Sequence, residues 1–294
     1  MADNNFNKVL AQTHCHSELW NGQLACFETD RAMSFEPNVV HKLLPVYIYG
    51  LIEQGWIKIS SDEKIIEARE GDLVIYIPGL DQNTVDASDD LRTITLYVTT
   101  DFATDNNVQR QIMQTAYFPI LHLHSPVIHL EVDQRRLLSY NLHAMLDHLK
   151  YGHAYKQEAV QAVYSLFLID LMDIQSRMTK ITKVSPREES IFITFVKLVR
   201  ENYLAHHALD FYASEESITK TYLSRVVKKV TGRTVQDFIN ELLLMEACSM
   251  LRFSDKPMSE IACHLHFSDQ AAFSKFFNRL KGLSPNAYRK KYAV

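Results

Sequence analysis

The sequence predicts an α+β multidomain chain: an antiparallel β-barrel, then a pair of helices, then an all-α domain in which one helical unit occurs twice. Three observations predict it. Short runs rich in Val, Ile and Tyr recur from about Gln23 to Thr99, cut by turn residues. The apolar spacing changes from short runs to helical intervals near Val132. Two capped apolar stripes, centred on Val226 and Phe276, then repeat in the last third of the chain.

The 294 residues allow about two ordinary domains, and 47% apolar with 22% charged residues is the make-up of a folded globular chain rather than a disordered one. The start, MADNNFNKVL, has no basic and apolar leader, and no run approaches a membrane span, so a soluble cytoplasmic protein without a membrane partner is expected. Cys15, Cys26, Cys248 and Cys263 form no C-x-x-C pair, which points to buried reduced thiols rather than a disulfide frame or zinc clip. The net charge of −4 is unevenly spread: from Arg187 onward 16 Lys and Arg stand against 12 Asp and Glu, leaving −8 for the remainder. Positive charge concentrated at one end hints at an anionic partner.

In chain order, residues 1–131 hold the β-rich part. Its runs are LACFET, VYIYGLI, WIKIS, KIIEA, DLVIYIP and TITLYVTT, separated by the turn-forming clusters EQG, SSDE, REGD, PGLDQN and ASDD. Residues 132–178 read as two amphipathic helices. The first places Leu138, Leu142, Met145 and Leu149 at helical spacing; the second places Val160, Val163, Phe167, Leu171 and Ile174. The second helix is apolar around more than half its circumference near Leu166 to Met172, as a helix packed on two sides would be, whether within the chain or in a homodimer. Residues 179–189, with Pro186, read as a linker, and residues 190–294 as helical throughout.

The repeat carries the chemistry. Leu223, Val226, Val227 and Val230 fall at i, i+3, i+4, i+7, and so do Phe273, Phe276, Phe277 and Leu280. Thr219 and Asp269 stand as N-caps, Gly232 and Gly282 as helix-ending residues, and Thr234 and Ser284 as caps of the next segments. Each stripe follows a short helical segment, LDFYASEE or MSEIACHL, and a turn, which is the layout of a helix-turn-helix. The outward face of the first reading helix is Lys220, Thr221, Ser224, Arg225 and Lys228; that of the second is Gln270, Ala271, Ser274 and Lys275, with Arg279 further along. Cations and hydroxyls suit phosphate oxygens and base edges, Gln pairs with adenine, and Ala contacts a thymine methyl. TVQDFINELLLMEACSML between the units is one helical pattern, a rod of ~27 Å at ~1.5 Å per residue, of the order of the ~34 Å between major grooves on one face of B-DNA. Double-stranded DNA is therefore the expected partner.

The residues Ala213, Ile218, Thr219, Tyr222, Leu223, Ser224, Lys228, Lys229, Thr231 and Gly232 resemble the first half of the C-terminal domain of the AraC/XylS transcription regulators. Glu246, Ala247, Met250 and Leu251 in the rod, Ile261, Ala262 and Leu265, FSDQ, Phe273, Phe276, Phe277, GLSP, Tyr288 and Arg289 continue it, over about Leu209 to Lys291. EGDLVIYIPG is similar to the cupin-like sensing barrel that many members carry in front. The resemblance implies a DNA-binding regulator with units in adjacent major grooves, a dimer on repeated sites, contact with RNA polymerase, and Thr221, Ser224, Arg225, Gln270, Ala271 and Lys275 at or near the bases. Three positions depart from the family pattern: Glu216 stands where an apolar residue is usual, Leu243 where Arg is common, and His266 where a turn glycine is usual, which calls for a positive φ or a different turn.

Tyr47, Tyr49 and Tyr76 are candidates to line a barrel pocket for a small-molecule effector, with core filling as the plain alternative. His14, His16 and Glu18, and His122, His124 and His129, have metal-like spacing but lie outside the best strands, so no metal and no cofactor is expected. Two rival functions remain in view: a metal-dependent cupin enzyme with a helical tail, and a C-terminal protein-docking module.

Overall fold

The computed structural model describes residues 18–31, 38, 45–61, 64–78, 80, 82–105, 126–152, 154–178 and 185–292. The chain divides into two compact units, Met1–Gln175 and Ser176–Val294.

The first unit is built on strands β1 (Glu18–Trp20), β2 (Leu24–Asp30), β3 (Val46–Gln54), β4 (Trp56–Ser61), β5 (Lys64–Arg69), β6 (Leu73–Tyr76), β7 (Gln82–Ala87), β8 (Arg92–Thr99) and β9 (Val127–Ile128). Among the described residues they form a six-stranded sheet, β1-β2-β8-β3-β6-β9, and a three-stranded sheet, β5-β4-β7, with every pairing antiparallel. One core joins the two: Phe27, Val46, Ile48, Tyr76 and Tyr97 from the larger sheet meet Ile57, Ile59, Ala68 and Ala87 from the smaller. Gly55 turns β3 into β4 at φ +81°, and a Cβ there would sit 3.0 Å from Leu91 Cα, so the turn requires glycine.

Six strands coincide with the Val, Ile and Tyr runs of the sequence. β7 does not, because its pattern is inverted. Gln82 and Thr84 are buried while Val85 is exposed, so residues 82 and 83 read as part of a turn cluster.

The short helix α1 (Thr100–Asp105) follows β8; α2 (Val132–Lys150) and α3 (Lys156–Met178) follow β9. Helix α2 packs on β1, β2 and β8 through Leu138, Leu142, Met145 and Leu149, all at most 1% exposed. Up to Gln175 the helical pair thus belongs to the first compact unit. On α3, Val160, Phe167, Leu171 and Ile174 are buried as their spacing predicts, whereas Val163 is half-buried and Leu166 and Ile169 are exposed.

The second unit holds α4 (Pro186–Asn202), α5 (Leu209–Glu215), α6 (Lys220–Thr231), α7 (Val235–Phe253), α8 (Met258–His264), α9 (Gln270–Lys281) and α10 (Pro285–Tyr292). Pro186 does not sit in a linker; it opens α4, where its missing N–H costs nothing, and Ser185 with Glu188 forms a capping box. Phe192 and Phe195 of α4 meet Phe238 of α7 edge-on, and Phe195 also meets Tyr212 of α5. Phe273, Phe277 and Tyr288 make the corresponding cluster of α9 and α10. Among the described residues no helix is long and apolar enough to cross a membrane.

Candidate nucleic-acid interface

Helices α5 and α6 form one helix-turn-helix, and α8 and α9 form a second with matching backbone bonds. Glu216 N–H donates to the Tyr212 carbonyl as Leu265 N–H donates to Ile261, and Ile218 N–H donates to Ala213 as Phe267 N–H donates to Ala262. Ser217 and His266, the equivalent residues, take the left-handed conformation at φ 54° and 53°. His266 therefore keeps the turn by adopting a glycine-like conformation. Ser217 does the same, which its sequence does not signal. The second turn is one residue longer, through Ser268.

Each reading helix is bounded as its sequence requires. Thr219 Oγ1 accepts from Tyr222 N–H at 3.2 Å, and Asp269 Oδ1 accepts from Ala272 N–H at 2.7 Å. Gly232 and Gly282 end the helices at φ 75° and 69°. Thr234 and Ser284 then cap the next helices, accepting from Asp237 and Ala287 N–H at 3.2 Å. Leu223, Val226 and Val227 are buried, as are Phe273, Phe276 and Phe277, while Leu280, the last member of the second stripe, is 37% exposed.

The opposite faces are open. Lys220, Thr221, Arg225 and Lys228 are exposed and Ser224 is half-buried; Gln270, Ala271, Lys275 and Arg279 are exposed and Ser274 is half-buried. Within the first face Lys220 pairs with Asp210 at 2.9 Å, and the Arg225 guanidinium lies 4.9 Å from the Tyr222 ring centre. Joining the units, α7 runs for 19 residues, ~28 Å at ~1.5 Å per residue. The Phe267 ring of the second turn also lies 5.2 Å from that of His207, just before α5. A shallow recess of about 540 Å³ borders Gln270, lined by Cys263, His266, Ser268 and Asp269 among others. Cys263 is exposed there, unlike the buried Cys26 and Cys248, so the expectation of buried thiols fails for it.

Residues 212–291 match the family description of a helix-turn-helix domain. The Transposon Tn10 TetD protein of Escherichia coli is 35% identical over 82 residues, 28% of this chain and 59% of that protein. The regulatory protein SoxS of Escherichia coli (strain K12) is 33% identical over 81 residues, 28% of this chain and 76% of SoxS. The chain belongs to the AraC/XylS family of transcription regulators. A crystal structure of ToxT from Vibrio cholerae O395 aligns with 92% of this chain and 97% of its own at 12% identity, with a TM-score of 0.44. The AraC/XylS match covers the helix-turn-helix units and the rod, the same stretch that the sequence repeat delimits.

In the AraC/XylS chain's first unit, the three candidate tyrosines do not share a face. Tyr76 pairs in register with Ile48 and points into the core between the sheets, where its hydroxyl lies 2.7 Å from Thr84 Oγ1. Tyr49 lies on the other side of β3, its ring 5.2 Å from Phe167 of α3 and stacked at 6.4 Å on Tyr47. A strand's alternation forbids Ile48 and Tyr49 the same side, so Tyr47 and Tyr49 cannot line the barrel interior with Tyr76. Burial pushes the Tyr49 and Tyr164 hydroxyls well above the ordinary tyrosine range.

The interior instead carries polar groups that sequence reading missed. Thr93 Oγ1 lies 3.0 Å from Thr95 Oγ1 and also pairs with Thr29, while Gln82 Oε1 accepts from Ile77 N–H at 2.9 Å. The alternation Thr93, Thr95, Tyr97 in β8 was the available signal. Of the metal candidates, His14, His16, His122 and His124 lie outside the described residues, and His129 Nδ1 lies 2.8 Å from Asp72 Oδ1. Among the described residues no three His, Cys, Asp or Glu side chains gather as a metal site would need.

Proposed function

We propose that this protein is a sequence-specific DNA-binding transcription regulator whose helices α6 and α9 enter successive major grooves and whose barrel interior receives a small-molecule effector. One observation carries the reading: two helix-turn-helix units with matching backbone bonds present exposed polar faces from either end of a single 19-residue helix. In that reading Thr221, Ser224 and Arg225, with Gln270, Ala271 and Lys275, contact bases or adjoining backbone, and Lys220, Lys228, Ser274 and Arg279 contact phosphates. Of the three tyrosines, Tyr76 with Thr84 is the candidate effector contact, and Tyr47 and Tyr49 belong to the packing of α3.

The exposed Leu166 and Ile169 on α3 support a homodimer on paired sites. A cytoplasmic location, contact with RNA polymerase and the absence of enzymatic activity complete the reading. An effector would act by favouring one conformation over another.

Selection of bound sequences from a random DNA pool, followed by affinity measurements at two salt concentrations, tests the reading. A defined motif with two elements about one helical turn apart is expected, together with a steep loss of affinity as salt rises. No enriched motif and a flat salt response would support the protein-docking module instead.

A further inference from the structure

The two helix-turn-helix units share a backbone but differ at one core position. Leu265 and Glu216 hold the same place: each caps its short helix at the C-terminal end, and each precedes the single left-handed residue of its turn. Leu265 is fully buried. Glu216 is half-buried, yet its Oε1 is shielded from solvent and has no hydrogen-bond partner. A carboxylate oxygen shielded from water without a donor is costly, whereas a neutral carboxyl in the same place is much less so.

We infer that Glu216 makes the first helix-turn-helix proton-responsive: with its carboxyl neutral the unit packs as its twin does, and with the carboxyl charged it packs less tightly. Burial raises Glu216 from 4.5 to about 7, and it is the cause of the shift. The charged groups on the elements packed around it include several held by partners other than Glu216. On α5 and α6, Asp210 holds Lys220, Glu215 is exposed, Arg225 lies over Tyr222, Lys228 is exposed, and Lys229 is held by Glu188. Helix α4 contributes Lys197, Arg200 and Glu201.

The sign follows from linkage. An acid whose value is raised on folding binds more protons folded than unfolded, so stability falls as pH rises from 4.5 to about 7 and changes no further above it. The second unit has leucine at this position and lacks the effect. If the DNA-binding reading holds, mild acidification would strengthen docking of α6 while leaving α9 unaffected, by at most about tenfold per pH unit for one linked proton.

The test compares full-length wild type, Glu216→Leu and Glu216→Gln by denaturant unfolding at pH 5.5 and pH 8. The unfolding constant of the wild type relative to Glu216→Leu is expected to rise by up to about thirtyfold between the two, and the Gln variant, having no proton to lose, should track Leu in its pH dependence. A gap between wild type and Leu that is the same at both pH values overturns the inference, whatever the DNA result. DNA affinity of the same proteins is read in parallel. If none of them binds DNA while the pH-dependent gap is present, the proposed function fails and the proton linkage stands.

Discussion

Lys229 Nζ lies 2.8 Å from Glu188 Oε2, an ion pair that ties reading helix α6 to the first turn of α4. Glu188 also accepts from Ser185 N–H at 2.8 Å, so one carboxylate serves a cap and a tertiary contact. The Lys229 hydrogen bonds, then the cap, hold Glu188 down at about 2. A depressed acid contributes its stability above its unfolded value of 4.5 and loses it as pH falls toward about 2. Glu188→Gln should therefore lower the thermal midpoint at neutral pH, and the gap to wild type should close as pH falls through that window. Unfolding curves across the range read it directly.

Arg225→Ala and Lys275→Ala should each weaken DNA binding and, where the lost contact is to phosphate, reduce the salt slope by about one. Asp210→Asn releases Lys220 from its 2.9 Å ion pair and should strengthen binding modestly. Fluorescence anisotropy titrations over a salt series separate these outcomes. Unchanged affinity and site preference in both alanine variants would refute the contact assignment.

Phe277→Ala should cost about 3–5 kcal/mol in denaturant unfolding, because a fully buried ring leaves a cavity in the second unit. Leu280→Ala, at a 37% exposed position of the same stripe, should cost far less, within about 0.5 kcal/mol.

Ser217 and His266 occupy left-handed conformations without being glycine. The strain of about 1–2 kcal/mol for an L-residue there exceeds the extra backbone entropy of glycine, about 0.5–1 kcal/mol. Ser217→Gly and His266→Gly are each expected to stabilise the protein by about 0.5–1 kcal/mol, measurable as a shift of the denaturation midpoint with an unchanged m-value.

The two kinds of tyrosine should also part company. Tyr76→Phe removes the 2.7 Å partner of Thr84 and should cost about 1 kcal/mol while altering the response to an effector. Tyr49→Ala should destabilise the first unit by about 3–5 kcal/mol by removing the ring that meets Phe167. Calorimetry on both variants reads the difference.

What was legible in the sequence was what local chemistry dictates. Thr219, Asp269, Gly232 and Gly282 mark helix ends by their own side chains or lack of one, and the apolar stripes name the buried faces. What was hidden depends on the surroundings. β7 has polar residues facing the core, and the side of the strand that Tyr47 and Tyr49 occupy is decided only by the register of β3. Pro186 reads as a linker residue until Ser185 and Glu188 are seen to close the box. Of the reading faces, the residues were visible but not their engagements, such as Lys220 with Asp210.

Strand β3 has no idle side. Ile48 is set into the interior between the sheets and Tyr49, its immediate neighbour, is wedged against Phe167. A shift of the β3 backbone at Ile48 would therefore be felt at the very next residue, the one whose ring meets Phe167 of α3. The wall of the barrel interior and the seat of α3 are adjacent residues of one strand.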